Sequence, residues 1–459
     1  MSHQGFDITF KEFKEQFYSR IGDGTCLNVL DINLLKVVLD GLKVQYTKRG
    51  KISHYFDKHN FIVYCYFLIK LTLAVKKRIL LKKKVQSCAS NSTIIGFSDR
   101  TIESDSKEVP IYYQKIFNEF GRESFCCITN KEQIFSDLNT SDFILGVNIF
   151  SKRNRLLYLA LKEKLCSLDF INLWTSEELE NIKISVFLFF VDYVKWDFVL
   201  TQNKFKNALL ICHYHNEAFI LACKRNNIQV RELQHGLIAE EDIFYVFPDQ
   251  VKSVIHKALF PSAIYVYGSF WKDVLLKGCE YNGEAINELG YYHFEATYKS
   301  DININSEKKI LLITTQYSAE KYFIQFIKNI SPKLNTDWII QLKPHPSENT
   351  AIYSYLEKDF LNVKVVQGSL EQIINRSEFL VTIFSTTIFD ALRLRKLSFS
   401  LQIDLYSDYI ANLVNIGASH LLDVNDNPTE LYLSLDIKKN TTQFYSEFSK
   451  TNLKTFLRI

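Results

Sequence analysis

Short apolar runs, each stopped by a polar turn and most of them leading into a helical pattern, recur along this chain from residue 93 onward. Unbroken apolar runs predict strands buried on both faces, and their alternation with helices predicts parallel α/β units. The first run is 93–97, ending at Ser98-Asp99-Arg100. Runs at 143–147, 208–212 and 228–233 follow, with a helix over 217–225 that Asn226-Asn227 stops. A second series begins near Pro261: 263–268, with a helix from Ser269, then 285–289, 309–315, 338–342, 363–366 and 379–383. Residues 1–88 lack such runs and read as mainly helical, and Ala89-Ser90-Asn91-Ser92 marks a boundary. The expected organisation is a helical segment over 1–88, an α/β unit over 89–258, a second over 259–425 and a helical tail over 426–459.

Composition narrows this picture. A chain of 459 residues exceeds the size at which a single core keeps growing, in line with two units. The formal net charge of +4 gives no reason to expect a nucleic-acid partner. Nine cysteines are scattered without a Cys-x-x-Cys pair and the N-terminus carries no signal-peptide pattern, so a reducing compartment, the cytoplasm, is expected. The apolar stretch 61–75 is interrupted by Lys70 and is too short to span a bilayer. It runs into Lys76, Lys77, Arg78, Lys82, Lys83 and Lys84, which suits a helix at an anionic membrane surface or a buried helix with a solvated basic end.

Ligands of open parallel sheets bind outside the carboxyl ends of the strands, so the turns after these runs are the candidate sites. Lys343-Pro344-His345-Pro346 follows the run at 338–342. Its prolines remove backbone donors, leaving the Lys343 ammonium and the His345 ring to meet a phosphate oxygen. Ser385-Thr386-Thr387 follows the run at 379–383 and opens a helix, where hydroxyls and free N–H groups suit an anion. Ordinary capping by Ser385 or Thr386 is the competing reading. Asp390, one turn on, suits a ribose hydroxyl, and Gln316 is expected to line the same crevice.

In the first unit, Glu232-Leu233-Gln234-His235-Gly236 closes a strand. Gly236 permits a turn that other residues resist, and His235 suits a general base that Glu232 or Glu217 would orient. Asp99, Arg100, His213, His215 and Glu217 are expected on the acceptor side, and Tyr245-Val246-Phe247-Pro248 reads as a loop or lid. His213, His215 and His235 lack an acidic partner at metal-ligand spacing, and there is no Asp-x-Asp, so neither a metal nor another cofactor is expected.

Taken in order, Glu-Leu-Gln-His-Gly, Lys-Pro-His-Pro and Ser-Thr-Thr-x-x-Asp-Ala-Leu resemble bacterial capsule and lipopolysaccharide glycosyltransferases of the GT-B kind, from about Thr93 to Asp404. The last two motifs look like the His-Pro and Ser-Ser/Thr motifs of bacterial sialyltransferases. That resemblance implies two Rossmann-like domains facing across a cleft, preceded here by the extra helical segment. It also implies that His345, Ser385 and Thr386 bind donor phosphate. Where sialyltransferases carry an acidic motif ending in glycine, this chain has Gln234-His235-Gly236. That motif is similar to those of teichoic-acid glycerophosphotransferases and of capsule transferases using CMP-Kdo. The function so implied is transfer of a CMP-linked nonulosonic acid or Kdo to a surface glycan or glycolipid. A UDP-hexose or CDP-polyol transferase and a nucleotide-sugar epimerase are the alternatives, with a non-catalytic assembly protein as a third class.

Overall fold

The structure, a computed structural model, describes residues 10–46, 93–95, 101–104, 107–110, 113–121, 125–129, 138–139, 151–201, 205–236, 238, 240, 242, 244–255, 259–278, 285–290, 308–316, 319–346, 348–435, 444–446 and 448–457. The expectations for 61–75, the basic run 76–84, the linker 89–92, Asp99, Arg100 and the run at 143–147 lie outside those residues.

Helix α1 (Phe10–Ile21) leads into a hairpin of β1 (Asn28–Val29) and β2 (Ile32–Asn33), followed by α2 (Leu35–Tyr46). Then come β3 (Thr93–Ile95), the antiparallel pair β4 (Thr101–Ser104) and β5 (Lys107–Pro110), β6 (Phe125–Thr129) and β7 (Leu138–Asn139). Two long helices, α3 (Lys152–Cys166) and α4 (Ser176–Thr201), precede β8 (Asn207–Leu210), α5 (Glu217–Arg225), β9 (Gln229–Leu233), β10 (Ala263–Val266), α6 (Ser269–Gly278) and β11 (Ile286–Glu288). The seven-stranded sheet of this unit runs β11-β10-β9-β8-β3-β6-β7, every pair parallel.

A second, six-stranded parallel sheet is built from β12 (Lys309–Thr314), β13 (Trp338–Lys343), β14 (Val363–Val365), β15 (Phe379–Thr382), β16 (Leu397–Leu401) and β17 (His420–Leu422), in the order β14-β13-β12-β15-β16-β17. Counted along the chain, both sheets follow the strand order 3-2-1-4-5-6 of a Rossmann fold, the first with one strand added. The chain is thus two Rossmann-like units, the GT-B arrangement. Their switch points fall between β3 and β8 and between β12 and β15.

Helix α5 and most of the strands stand where the apolar runs predicted them, but the allotment of strands differs. The run at 263–268, read as opening the second unit, forms β10 and pairs with β9, and β11 pairs with β10. Both belong to the first sheet. A buried run announces a strand but not its neighbour, and only the topology assigns it. Strand β16 shows no unbroken apolar run, because Ser398 and Ser400 interrupt its apolar letters. Both are fully buried, and Ser419 answers them: its hydroxyl accepts from the Ser400 hydroxyl at 2.9 Å and donates to the Ser398 carbonyl at 3.1 Å.

The described part of 1–88 is no appendage. Phe13, Phe17, Leu35, Val38 and Leu39 are buried in the same core as Phe219 and Val230. Lys36, fully buried, reaches Glu217 Oε1 at 3.1 Å, the Leu259 carbonyl at 3.0 Å and the His213 carbonyl at 3.4 Å, over the ring of Phe260. The C-terminal tail is equally integrated. It crosses back to the first unit, where Ser446 N donates to the Tyr267 carbonyl at 2.8 Å, Trp271 Nε1 donates to the Phe444 carbonyl at 2.9 Å, and helix α8 (Lys450–Leu457) buries Leu453. No helix among the described residues is long and apolar enough to cross a membrane.

Removing one partner of a buried ion pair leaves the other charge without compensation, at a cost of about 3–5 kcal/mol. Lys36→Met is therefore expected to lower unfolding free energy by about that amount. Lys36→Met/Glu217→Leu should recover part of it, as read by denaturant titration. A loss below about 1 kcal/mol for the single variant would mean that α2 is not held through this pair.

Candidate active site at the facing sheet edges

In the first unit the turns after β8 and β9 are tied together by one carboxylate. Glu232 Oε1 accepts from the His213 backbone N–H at 3.2 Å and from the Tyr245 hydroxyl, while Oε2 lies 2.7 Å from His213 Nδ1. His213 Nε2 donates to the Phe244 carbonyl at 2.9 Å. Both ring nitrogens are thus engaged, Nδ1 by the Glu232 carboxyl and Nε2 by the Phe244 carbonyl. Burial pushes the Glu232 carboxyl up, but the His213 charge and the hydrogen bonds from His213 and Tyr245 outweigh it and hold the group below the usual carboxylate range.

This arrangement corrects several expectations. Glu232 grips His213 and makes no hydrogen bond to His235. His213 is fully buried and structural instead of facing an acceptor. Glu217 is buried against Lys36. Tyr245, Val246 and Phe247 are buried, and a side chain at Gly278 would come within 2.1 Å of Val246, so the segment is packed in place and is not a lid. His215 is exposed, in left-handed backbone at φ 66°.

His235 is half-buried, and its Nε2 lies 3.0 Å from the hydroxyl of Tyr214. Tyr214 stacks on Phe244, and burial pushes its phenol well above the ordinary value, so it stays protonated at neutral pH. Gln234 frames the turn: its side chain donates to the Gly236 carbonyl at 2.8 Å and accepts from Tyr267 N at 2.9 Å. Gly236 does not have the positive φ that would demand glycine. A Cβ there would make an ordinary van der Waals contact, 3.4 Å from Thr386 Cγ2 of the second unit, so the two turns lie close together. A longer side chain would push the two turns apart.

In the second unit the end of β12 joins the other two turns. Thr315 Oγ1 accepts from His345 N at 3.0 Å, and Gln316 Oε1 accepts from Phe384 N at 2.9 Å. Thr314 and Thr387 meet through their hydroxyls at 2.9 Å. Lys343-Pro344-His345-Pro346 and Ser385-Thr386-Thr387 therefore follow the two strands that flank β12. Helix α7 (Thr387–Arg393) starts there, with the Ser385 hydroxyl accepting from Thr387 N at 3.3 Å and Asp390 in the first turn. Lys343 is half-buried, and burial pulls its amine pKa down.

Sequence reasoning passed over three residues here. Glu348 is buried and accepts from the Thr315 hydroxyl, from His345 N at 2.7 Å and from the Tyr353 hydroxyl at 3.1 Å, fixing the His345 turn. Burial raises its carboxyl pKa despite those bonds. Thr315 and Tyr214 are the others. The spacing of Glu348, three residues beyond His345, was the one available signal. No cluster of His, Cys, Asp and Glu suited to a metal occurs among the described residues.

No protein-family model and no curated protein matches the sequence. Solved structures do resemble the chain. S. aureus MnaA in a co-structure with UDP is 13% identical over 81% of this chain and 97% of its own, with a TM-score of 0.48. A UDP-GlcNAc 2-epimerase of Methanocaldococcus jannaschii with UDP-GlcNAc and UDP is 15% identical over 80% of this chain and 99% of its own, with a TM-score of 0.49. A Rickettsia africae glycosyltransferase is 12% identical over 80% and 98%, with a TM-score of 0.43.

Because the folded pKa of Glu232 lies below its unfolded value, its contribution is complete above the ordinary carboxylate range near pH 4 and drains as pH falls through the depressed value. Glu232→Gln is expected to cost on the order of 2–4 kcal/mol at pH 7. The gap to wild type should narrow below about pH 4 in urea unfolding. A gap that stays constant on acidification would contradict the ion-pair assignment.

Proposed function

We propose that the chain is a metal-independent enzyme of nucleotide sugars. Lys343, His345, Ser385 and Thr386 hold the phosphates, and His235 works on the sugar from the opposite unit. The observation that carries this reading is the closeness of Gly236 to Thr386: a Cβ added at Gly236 would meet Thr386 Cγ2 at 3.4 Å. It joins the carboxyl edges of two Rossmann-like sheets, the edges where such folds bind ligands, so a phosphate bound beside Thr386 leaves its sugar within reach of the His235 turn.

Transfer to a glycan or glycolipid hydroxyl is the first reading. It needs one base, and His235, positioned by the Tyr214 hydroxyl 3.0 Å from its Nε2, is the candidate to take the hydroxyl proton. Lys343 and the hydroxyl-bearing turn would stabilise the departing phosphate with fixed charge and dipoles. Interconversion of a nucleotide sugar without an acceptor is the second reading, favoured by the same pair. An imidazole 3.0 Å from a protonated phenol offers a base and an acid side by side. For the donor, a CMP-linked acidic sugar follows from the motif resemblance, and a UDP-sugar is the competing choice.

Ligand binding raises apparent stability by about 2.7 kcal/mol at a hundredfold excess over Kd, so a thermal-shift series with CMP, UDP, CDP and GDP reads the donor class. One nucleotide should stabilise the protein, and His345→Ala or Ser385→Ala should reduce that response. His235→Ala should keep the response yet lower turnover by about 10²–10⁴-fold. Donor sugar incubated alone separates the two activities, since only an epimerase converts it without acceptor. Absence of any nucleotide response would refute the proposal.

A further inference from the structure

The first unit carries a cationic, leucine-studded face remote in sequence from the motifs above. An open cavity of about 580 Å³ is lined by Leu30, Lys152, Arg153, Leu156 and Arg225, three cations and two leucines. Arg225 pairs with Asp31, and Arg153 lies 3.6 Å from Asp197. Helix α3 continues this surface. Lys152, Arg155, Leu156, Leu159, Lys162 and Glu163 are all exposed and recur at spacings of three and four, so they share one stripe, while Asn154, Leu157 and Leu161 form the buried side. Within α3, Lys152, Arg153, Arg155, Lys162 and Lys164 stand against Glu163 alone, a formal surplus equal to the +4 of the whole chain.

The leucines are out of place on a water-facing surface. Leu156 and Leu159 are 53% and 49% exposed, and Leu168, just beyond the helix, is 74% exposed. Leu30 occupies the two-residue turn between β1 and β2, is 59% exposed and has φ 53°. That left-handed position favours glycine or asparagine in a hairpin, and a leucine there meets neither the local rule nor a core. A local rule broken without a compensating contact points to function.

We propose that this face docks on an anionic phospholipid bilayer, with Lys152 and Arg155 at the lipid phosphates and Leu30, Leu156 and Leu159 in the headgroup–acyl boundary. Charge complementarity selects that partner. Cations beside apolar side chains on one helical stripe are the pattern that lies in a membrane interface. Docking through α3 does not depend on the reaction proposed above.

The test is sedimentation of the full chain with vesicles of phosphatidylcholine containing one-third phosphatidylglycerol, set against pure phosphatidylcholine. Binding is expected only to the anionic vesicles and should weaken as salt rises. Lys152→Glu/Arg155→Glu should lower partitioning by on the order of tenfold or more, with Leu156→Ser/Leu159→Ser reducing it too. All four residues are exposed, so the thermal midpoint should not move. A variant with the cations of 76–84 replaced by Gln separates the two basic regions. If it abolishes binding while the α3 variants bind as wild type, the proposal is overturned. It is overturned as well if the chain ignores anionic vesicles, or if the α3 substitutions dissolve a dimer and leave vesicle binding intact.

Discussion

The polar turns at the carboxyl edges of the two sheets depend on buried carboxylates. Where a parallel strand ends, its turn loses ladder partners, and the N–H groups there need acceptors from elsewhere. Glu232 answers this need in the first unit, joining the turn after β8 to the end of β9 through His213 and Tyr245. Glu348 answers it in the second, joining the turn after β13 to Thr315 beyond β12. Each acid sits in the interior with its oxygens occupied by donors, so the adjacent His235 and His345 are held by a rigid frame. Lys36 extends the first frame outward, since it bonds the His213 carbonyl as well as Glu217.

The parallel architecture was legible because buried strands write themselves as unbroken apolar runs. Runs such as Lys309–Thr314 and Phe379–Thr382 need no partner to be recognised. Their neighbours were not legible: β10 could extend either sheet, and hydrogen bonding to β9 decided the matter. That the Lys343–Pro346 and Ser385–Thr387 turns each close a buried run was legible, while the adjacency of both strands to β12 came only from the sheet order. The role of Glu232 was not. Lying at the end of β9, three residues before His235 in the following turn, it suggests a partner for that ring. The imidazole it holds comes from the neighbouring strand's turn. Lys36 offered no signal either, since a lysine in an amphipathic stretch reads as solvated until its acid, more than a hundred residues away in sequence, is located.

Helix α7 joins the candidate phosphate site to the boundary between the units. Its first turn carries Thr387 and Asp390 beside Ser385 and Thr386, while Ile388, Phe389 and Leu392 are buried in the core of the first unit. Phe389 meets Trp271 of α6 with ring centroids 4.6 Å apart and Phe444 of the returning tail at 5.3 Å. A short helix packed in this way cannot shift at one end without moving the other, because close-packed interiors transmit displacement. An anion drawing the Ser385–Thr387 turn toward Lys343 would therefore act on the Phe389–Trp271 contact, and through it on the separation of Gly236 from Thr386. The tail limits that motion, since Phe444 contacts both Trp271 and Phe389. The same seven residues thus join the candidate turn at one end to the core of the first unit at the other, beside the Trp271 and Phe444 rings.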